Sequence, residues 1–122
     1  MGRLRQELLE RIESFSHRAV DVADSIEAQG RSRRVVDQIY GSGTSVGANS
    51  FEADEALSRK DFCKNLGTAV KELRELAFWF RFVIKRGWVK DKALAPLQTE
   101  TVELKRILGA MVSRTRKKDA GA

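Results

Sequence analysis

Between positions 41 and 49 the chain reads Gly41-Ser42-Gly43-Thr44-Ser45-Val46-Gly47-Ala48-Asn49. This run of small side chains lies inside a segment whose flanks carry helical periodicity. Glycine costs a helix roughly 1 kcal/mol relative to alanine, so a helix that keeps three of them close together needs a compensating contact. Close approach of a second helix supplies one, because two backbones can lie together where no side chain holds them apart. The run is therefore expected to be a packing device in an all-helical fold. A phosphate-binding reading fails on the residues that follow. A phosphate loop places lysine and then serine or threonine after its last glycine, whereas this chain has Ala48-Asn49. A dinucleotide fingerprint needs a preceding strand, and no segment alternates with period two.

The rest of the chain divides into four helical segments. In the first, from about Arg3 to Ala28, Leu4, Leu8, Ile12, Phe15, Ala19, Val22 and Ile26 recur at steps of three and four, the apolar stripe of an amphipathic helix. Gln29-Gly30 stops it. The second opens at Ser32 as N-cap and reaches Ala53 to Leu57, with Val35, Ile39, Ser42, Val46, Asn49 and Ala53 on one stripe. Asn49 is expected either to face inward and fix helix register or to sit in a partly wet groove. The third starts at Ser58, with Asp61 three residues on as a shortened capping box. It carries Phe62, Leu66, Ala69, Leu73, Leu76, Phe80 and Val83, and ends at Lys85-Arg86-Gly87. The fourth follows Val89 and Asp91, tolerates Pro96 near its start, and carries Leu94, Leu97, Thr101, Leu104, Ile107, Leu108, Met111 and Val112. Short connections between long helices favour an all-α, up-down-up-down antiparallel four-helix bundle. One domain over residues 1–118 and a disordered tail over 119–122 are expected.

Phe78, Trp79, Phe82 and Trp88 extend apolar surface around the third helix beyond its core stripe. They are the expected contacts of a homo-oligomer interface, unless the first and fourth helices cover them within one subunit. The formal net charge is +6, which favours acidic partners such as nucleic acid. With helices alternating in direction, one end gathers Arg3, Arg5, Arg59, Lys60, Arg114, Arg116, Lys117 and Lys118. The other gathers Arg31, Arg33, Arg34, Lys85, Arg86, Lys90 and Lys92. Cations at such spacing suit phosphate contacts, and no element for reading base sequence is evident.

The residues offer no enzyme. His17 is the one histidine and Cys63 the one cysteine, so neither a zinc site nor a paired Glu-x-x-His di-metal site can be assembled from them. Cys63 is expected to be a small buried apolar residue. Glu72 and Glu75 are expected to pair with Lys71, Arg74 or neighbouring turns. No nucleophile has an identifiable base. No cofactor, small-molecule substrate or membrane span is expected, and a cytoplasmic location follows by default. A protein-docking adaptor acting through the third helix or the bundle end, with charge serving solubility alone, is the competing function.

The stretch Asp37-Gln38-Ile39-Tyr40 through Val46-Gly47-Ala48-Asn49, then Glu52-Ala53, Ser58-Arg59-Lys60-Asp61-Phe62, Leu66-Gly67, Lys71-Glu72-Leu73-Arg74-Glu75 and Ala77-Phe78-Trp79-Phe80 resembles a known family. These are the small four-helix-bundle proteins first noticed as products of intervening sequences in bacterial 23S ribosomal RNA genes. The resemblance is specific over the second and third helices and one of pattern over the others. It implies a bacterial cytosolic bundle without catalysis, assembled as a pentameric ring. A related branch, the accessory protein of diversity-generating retroelements, implies nucleic acid and a reverse transcriptase as partners. That role depends on a partner enzyme and is not carried over by the resemblance.

Overall fold

The computed structural model describes residues 2–121. It contains α1 (Gln6–Ala28), α2 (Arg33–Asp54), α3 (Arg59–Lys85) and α4 (Asp91–Gly121), and no strand among the described residues. Each helix packs on its neighbours in sequence, and α4 closes onto α1 through the smallest of the four helix–helix interfaces. The stripes converge on one core. Phe15, Phe80, Ile12, Ile26, Ile39, Leu66, Leu73, Leu76, Leu104 and Leu108 have essentially no surface left in water.

Two helix ends follow the glycine logic. Gly30 and Gly87 take positive φ of 71° and 75°, where a Cβ is strained. The amides of Arg31 and Trp88 then reach back to the carbonyls of Ile26 and Val83 at 3.1 and 3.0 Å, the Schellman closure. At the start of α3 the Ser58 hydroxyl accepts from the Asp61 amide at 3.0 Å, as the spacing predicts. Ser32 occupies the N-cap of α2 without a side-chain cap bond.

The small-residue run lies inside α2, and two of its three glycines meet α1. A Cβ at Gly43 would come within 2.6 Å of the Ala19 Cβ, and one at Gly47 within 2.6 Å of the Ser16 hydroxyl oxygen. Gly41 is exposed, with open space where its Cβ would stand. The packing role therefore belongs to Gly43 and Gly47, which lie one turn apart and share a face. Asn49 is half-buried and turns its amide back to Ser45, 3.0 Å from both the carbonyl and the hydroxyl. Both of these bonds stay within α2.

Other details differ from expectation. The N-terminal lead-in is held before α1 begins: Asp54 accepts from the Leu4 amide at 2.7 Å through its carboxylate and from the Arg3 amide at 3.2 Å through its carbonyl. Pro96 lies inside α4, where it removes the amide that would have bonded the Lys92 carbonyl. Helix α4 also continues through residues 119–121, for which the sequence predicts a tail. The Asp119 carboxylate there accepts from Arg59 at 3.2 Å. Ala122 lies outside the described residues. Cys63 is buried as expected, 4.0 Å from the Val112 carbonyl oxygen.

Candidate nucleic-acid interface

Three separate stretches bring cations to one end of the fold. The lead-in held by Asp54 delivers Arg3, the first residue of α3 is Arg59, and the last turns of α4 carry Arg114 and Lys118 on one face. Together with Phe62, Met111 and Thr115 these side chains line a cavity of about 440 Å³. Arg3 is fixed there by a 2.8 Å bond from Nε to the Ala56 carbonyl, with its guanidinium 5.9 Å from the Phe62 ring centre. Arg59 shares its charge with Asp119. Among the described residues no carboxylate pairs with Arg3, Arg114 or Lys118. The positive pole of α3 lies at this end as well, partly offset by Asp61 in its first turn. The arrangement can take a phosphate or another compact anion and offers no general base or nucleophile.

Arg5, Lys60, Arg116 and Lys117 are exposed on the same helix ends but do not line the cavity. Phe62, Met111 and Thr115 do, and sequence reasoning missed them. The signal was there, since Met111, Arg114, Thr115 and Lys118 follow the three-four spacing of one helix face.

The opposite end is built differently. Arg33 is clamped by the Glu27 carboxylate and, at 3.1 Å, by Asp37. These hydrogen bonds, Glu27 first, raise the pKa of its guanidinium. Arg31 stacks 5.3 Å from the Trp88 ring centre and bonds Gln29 at 3.3 Å, while Gln29 donates to the Trp88 carbonyl at 3.0 Å. Arg34 is exposed. At this end, then, Arg33 is neutralised by carboxylates at the surface, while Arg34, Lys85, Arg86, Lys90 and Lys92 are exposed with no carboxylate partner among the described residues.

The four interface aromatics form one cluster of edge-on pairs. Phe78 meets Trp79 at 5.1 Å, Trp79 meets Phe82 at 5.6 Å, and Phe82 meets Trp88 at 5.9 Å. Trp79, Phe82 and Trp88 pack against the core, and Phe78 remains 58% exposed. Glu75 does not pair with Lys71 or Arg74. Its carboxylate accepts from the Ser42 hydroxyl on α2 at 3.2 Å. His17 is exposed and borders a groove of about 370 Å³ between α1 and α2, with Tyr40 and Phe51 across from it. Among the described residues no group of His, Cys, Asp or Glu side chains could hold a metal ion, and no helix is long and apolar enough to cross a membrane.

The sequence model of the family described as 23S rRNA-intervening sequence protein matches residues 5–110. The crystal structure of a protein with unknown function from the S23 ribosomal protein family of Bacteroides thetaiotaomicron is similar to this chain at a TM-score of 0.81 and 27% identity, covering 85% of this chain and 96% of that one. No curated protein matches.

Proposed function

The chain belongs to the 23S rRNA-intervening sequence protein family, and from there we propose that it is a non-enzymatic nucleic-acid-binding protein acting through its basic end. The observation that carries this is the convergence of Arg3, Arg59, Arg114 and Lys118 on one cavity. Three of the four have no carboxylate partner among the described residues. Polyanion binding releases condensed counterions and needs little beyond cations so placed.

The helices are read as up-down-up-down. The start of α1 meets the end of α2 at Asp54, and the start of α3 meets the end of α4 through Arg59 and Asp119, which supports antiparallel neighbours. A ring-shaped homo-oligomer would repeat the basic end around an axis, and sedimentation velocity tests that assembly.

The binding test is a titration of mixed-sequence RNA and DNA in a series of salt concentrations. Replacing Arg114 and Lys118 with serine should weaken binding and flatten the salt dependence by about 0.7–0.9 in logarithmic slope for each phosphate no longer neutralised. An unaltered slope removes this end from the site. A second reading, a docking adaptor, is favoured by the apolar groove flanked by the exposed rings of Tyr40 and Phe51. A protein partner that survives nuclease and high salt would select it.

A further inference from the structure

The outward face of α3 is cationic along its length. Lys64, Lys71, Arg74, Phe78, Arg81 and Lys85 follow one another at steps of seven, three, four, three and four, and all are exposed. Gly67 fills the gap in the first step, with nothing within 4 Å of where its Cβ would stand. No position in this series is acidic, and the nearest carboxylate to one side, Glu75, is turned to Ser42. The ion pairs of the described residues involve Arg11, Arg33 and Arg59 and leave these five cations unpaired. At 1.5 Å per residue the row runs for about 32 Å.

One aromatic ring interrupts the row. Phe78 stands edge-on to Trp79 at 73° and keeps 58% of its surface in water, so core packing does not account for it. With Arg81, Phe82 and Lys85 it lines a shallow cavity of about 290 Å³. Cations following a backbone, with an accessible ring among them, suit a strand whose bases are free to stack. A duplex keeps its bases on each other and gains from the cations alone.

We propose that this face of α3 is a track for single-stranded nucleic acid, its cations meeting phosphates while Phe78 stacks on a base. The proposal rests on the nucleic-acid reading above and names the form of nucleic acid and the surface that follows it. The test is fluorescence anisotropy with a labelled mixed-sequence RNA strand, alone and annealed to its complement. The single strand binds more tightly. Phe78→Ala lowers its affinity about fivefold or more and leaves the duplex unchanged, while Phe78→Trp retains single-strand binding. Serine at Lys71, Arg74, Arg81 and Lys85 flattens the salt dependence by about 0.7 in slope for each phosphate freed. Equal or tighter duplex binding overturns the proposal, as does an unchanged single-strand affinity in Phe78→Ala. So does a Phe78→Ala variant that dissociates an oligomer in sedimentation, because the ring would then serve a subunit contact. If serine at Arg114 and Lys118 abolishes binding and the α3 variants do not, the basic-end reading stands and this one falls. If the unaltered protein binds neither form at low salt, the nucleic-acid reading itself fails.

Discussion

Three glycines in one run behave as three different residues. At Gly43 a methyl group would meet the Cβ of Ala19, which cannot rotate away. At Gly47 it would meet the Ser16 hydroxyl, which can. At Gly41 it would meet nothing. Alanine in place of helical glycine gains roughly 1 kcal/mol of helix propensity, and overpacking costs about 1–3 kcal/mol. Gly43→Ala is therefore expected to destabilise by about 1 kcal/mol net. Gly47→Ala should be near neutral, and Gly41→Ala should stabilise by about 0.5–1 kcal/mol. Urea denaturation of the three variants checks the order, and a destabilised Gly41→Ala would show that this face is covered in solution. The sequence held half of this distinction. Gly43 and Gly47 are one turn apart and Gly41 lies on another face. The partner atoms on α1, which decide the sign at each position, depend on how two helices dock and cannot be read from spacing.

Helix α4 meets α1 through the smallest helix–helix interface in the fold, and an ion cluster crosses it. Arg11 bonds both carboxylate oxygens of Glu100, at 2.6 and 2.7 Å, and reaches Glu103 at 2.8 Å. The hydrogen bonds from Arg11 hold the Glu100 carboxyl below the usual carboxylate range, against the opposing pull of its partial burial. A depressed folded pKa adds stability above the unfolded value, near 4.3, and that stability disappears as pH falls through the folded value. Arg11 is pushed further up from an already high value and contributes no slope at working pH. Glu100→Gln is expected to cost about 1 kcal/mol at neutral pH. Its deficit should shrink below about pH 4. Chemical denaturation between neutral and acidic pH measures this, and a deficit that stays constant into acid would deny the pair its role. The helices themselves were legible. Their stripes, the Ser58 cap and the Gly30 and Gly87 stops are all local patterns. The Arg11–Glu100 pair joins residues 89 positions apart, so no local signal announced it.

The two ends of the molecule carry similar numbers of cations and are not equivalent. One end gathers Arg3, Arg59, Arg114 and Lys118 around a single cavity, while at the other Arg33 is paired with Glu27 and Asp37, Arg31 lies over Trp88, and Arg34, Lys85, Arg86, Lys90 and Lys92 stand exposed without lining a common cavity among the described residues. Serine at Arg31 and Arg33 is expected to change RNA affinity less than serine at Arg114 and Lys118, read in the same titration. The reverse order would move the site to the other end. Counting charges along the chain suggests two matching poles, because a count ignores which cations converge on one cavity. The row along α3 was present in the spacing as well, but only the exposure of Phe78 and the turning away of Glu75 give it meaning. The anchoring of the lead-in on Asp54 has a practical corollary. Residue 3 and residue 118 border the same cavity, so a reporter attached beside either residue would hang over the cationic mouth. An acidic one would act as a tethered competitor and mask the very affinity it was added to measure.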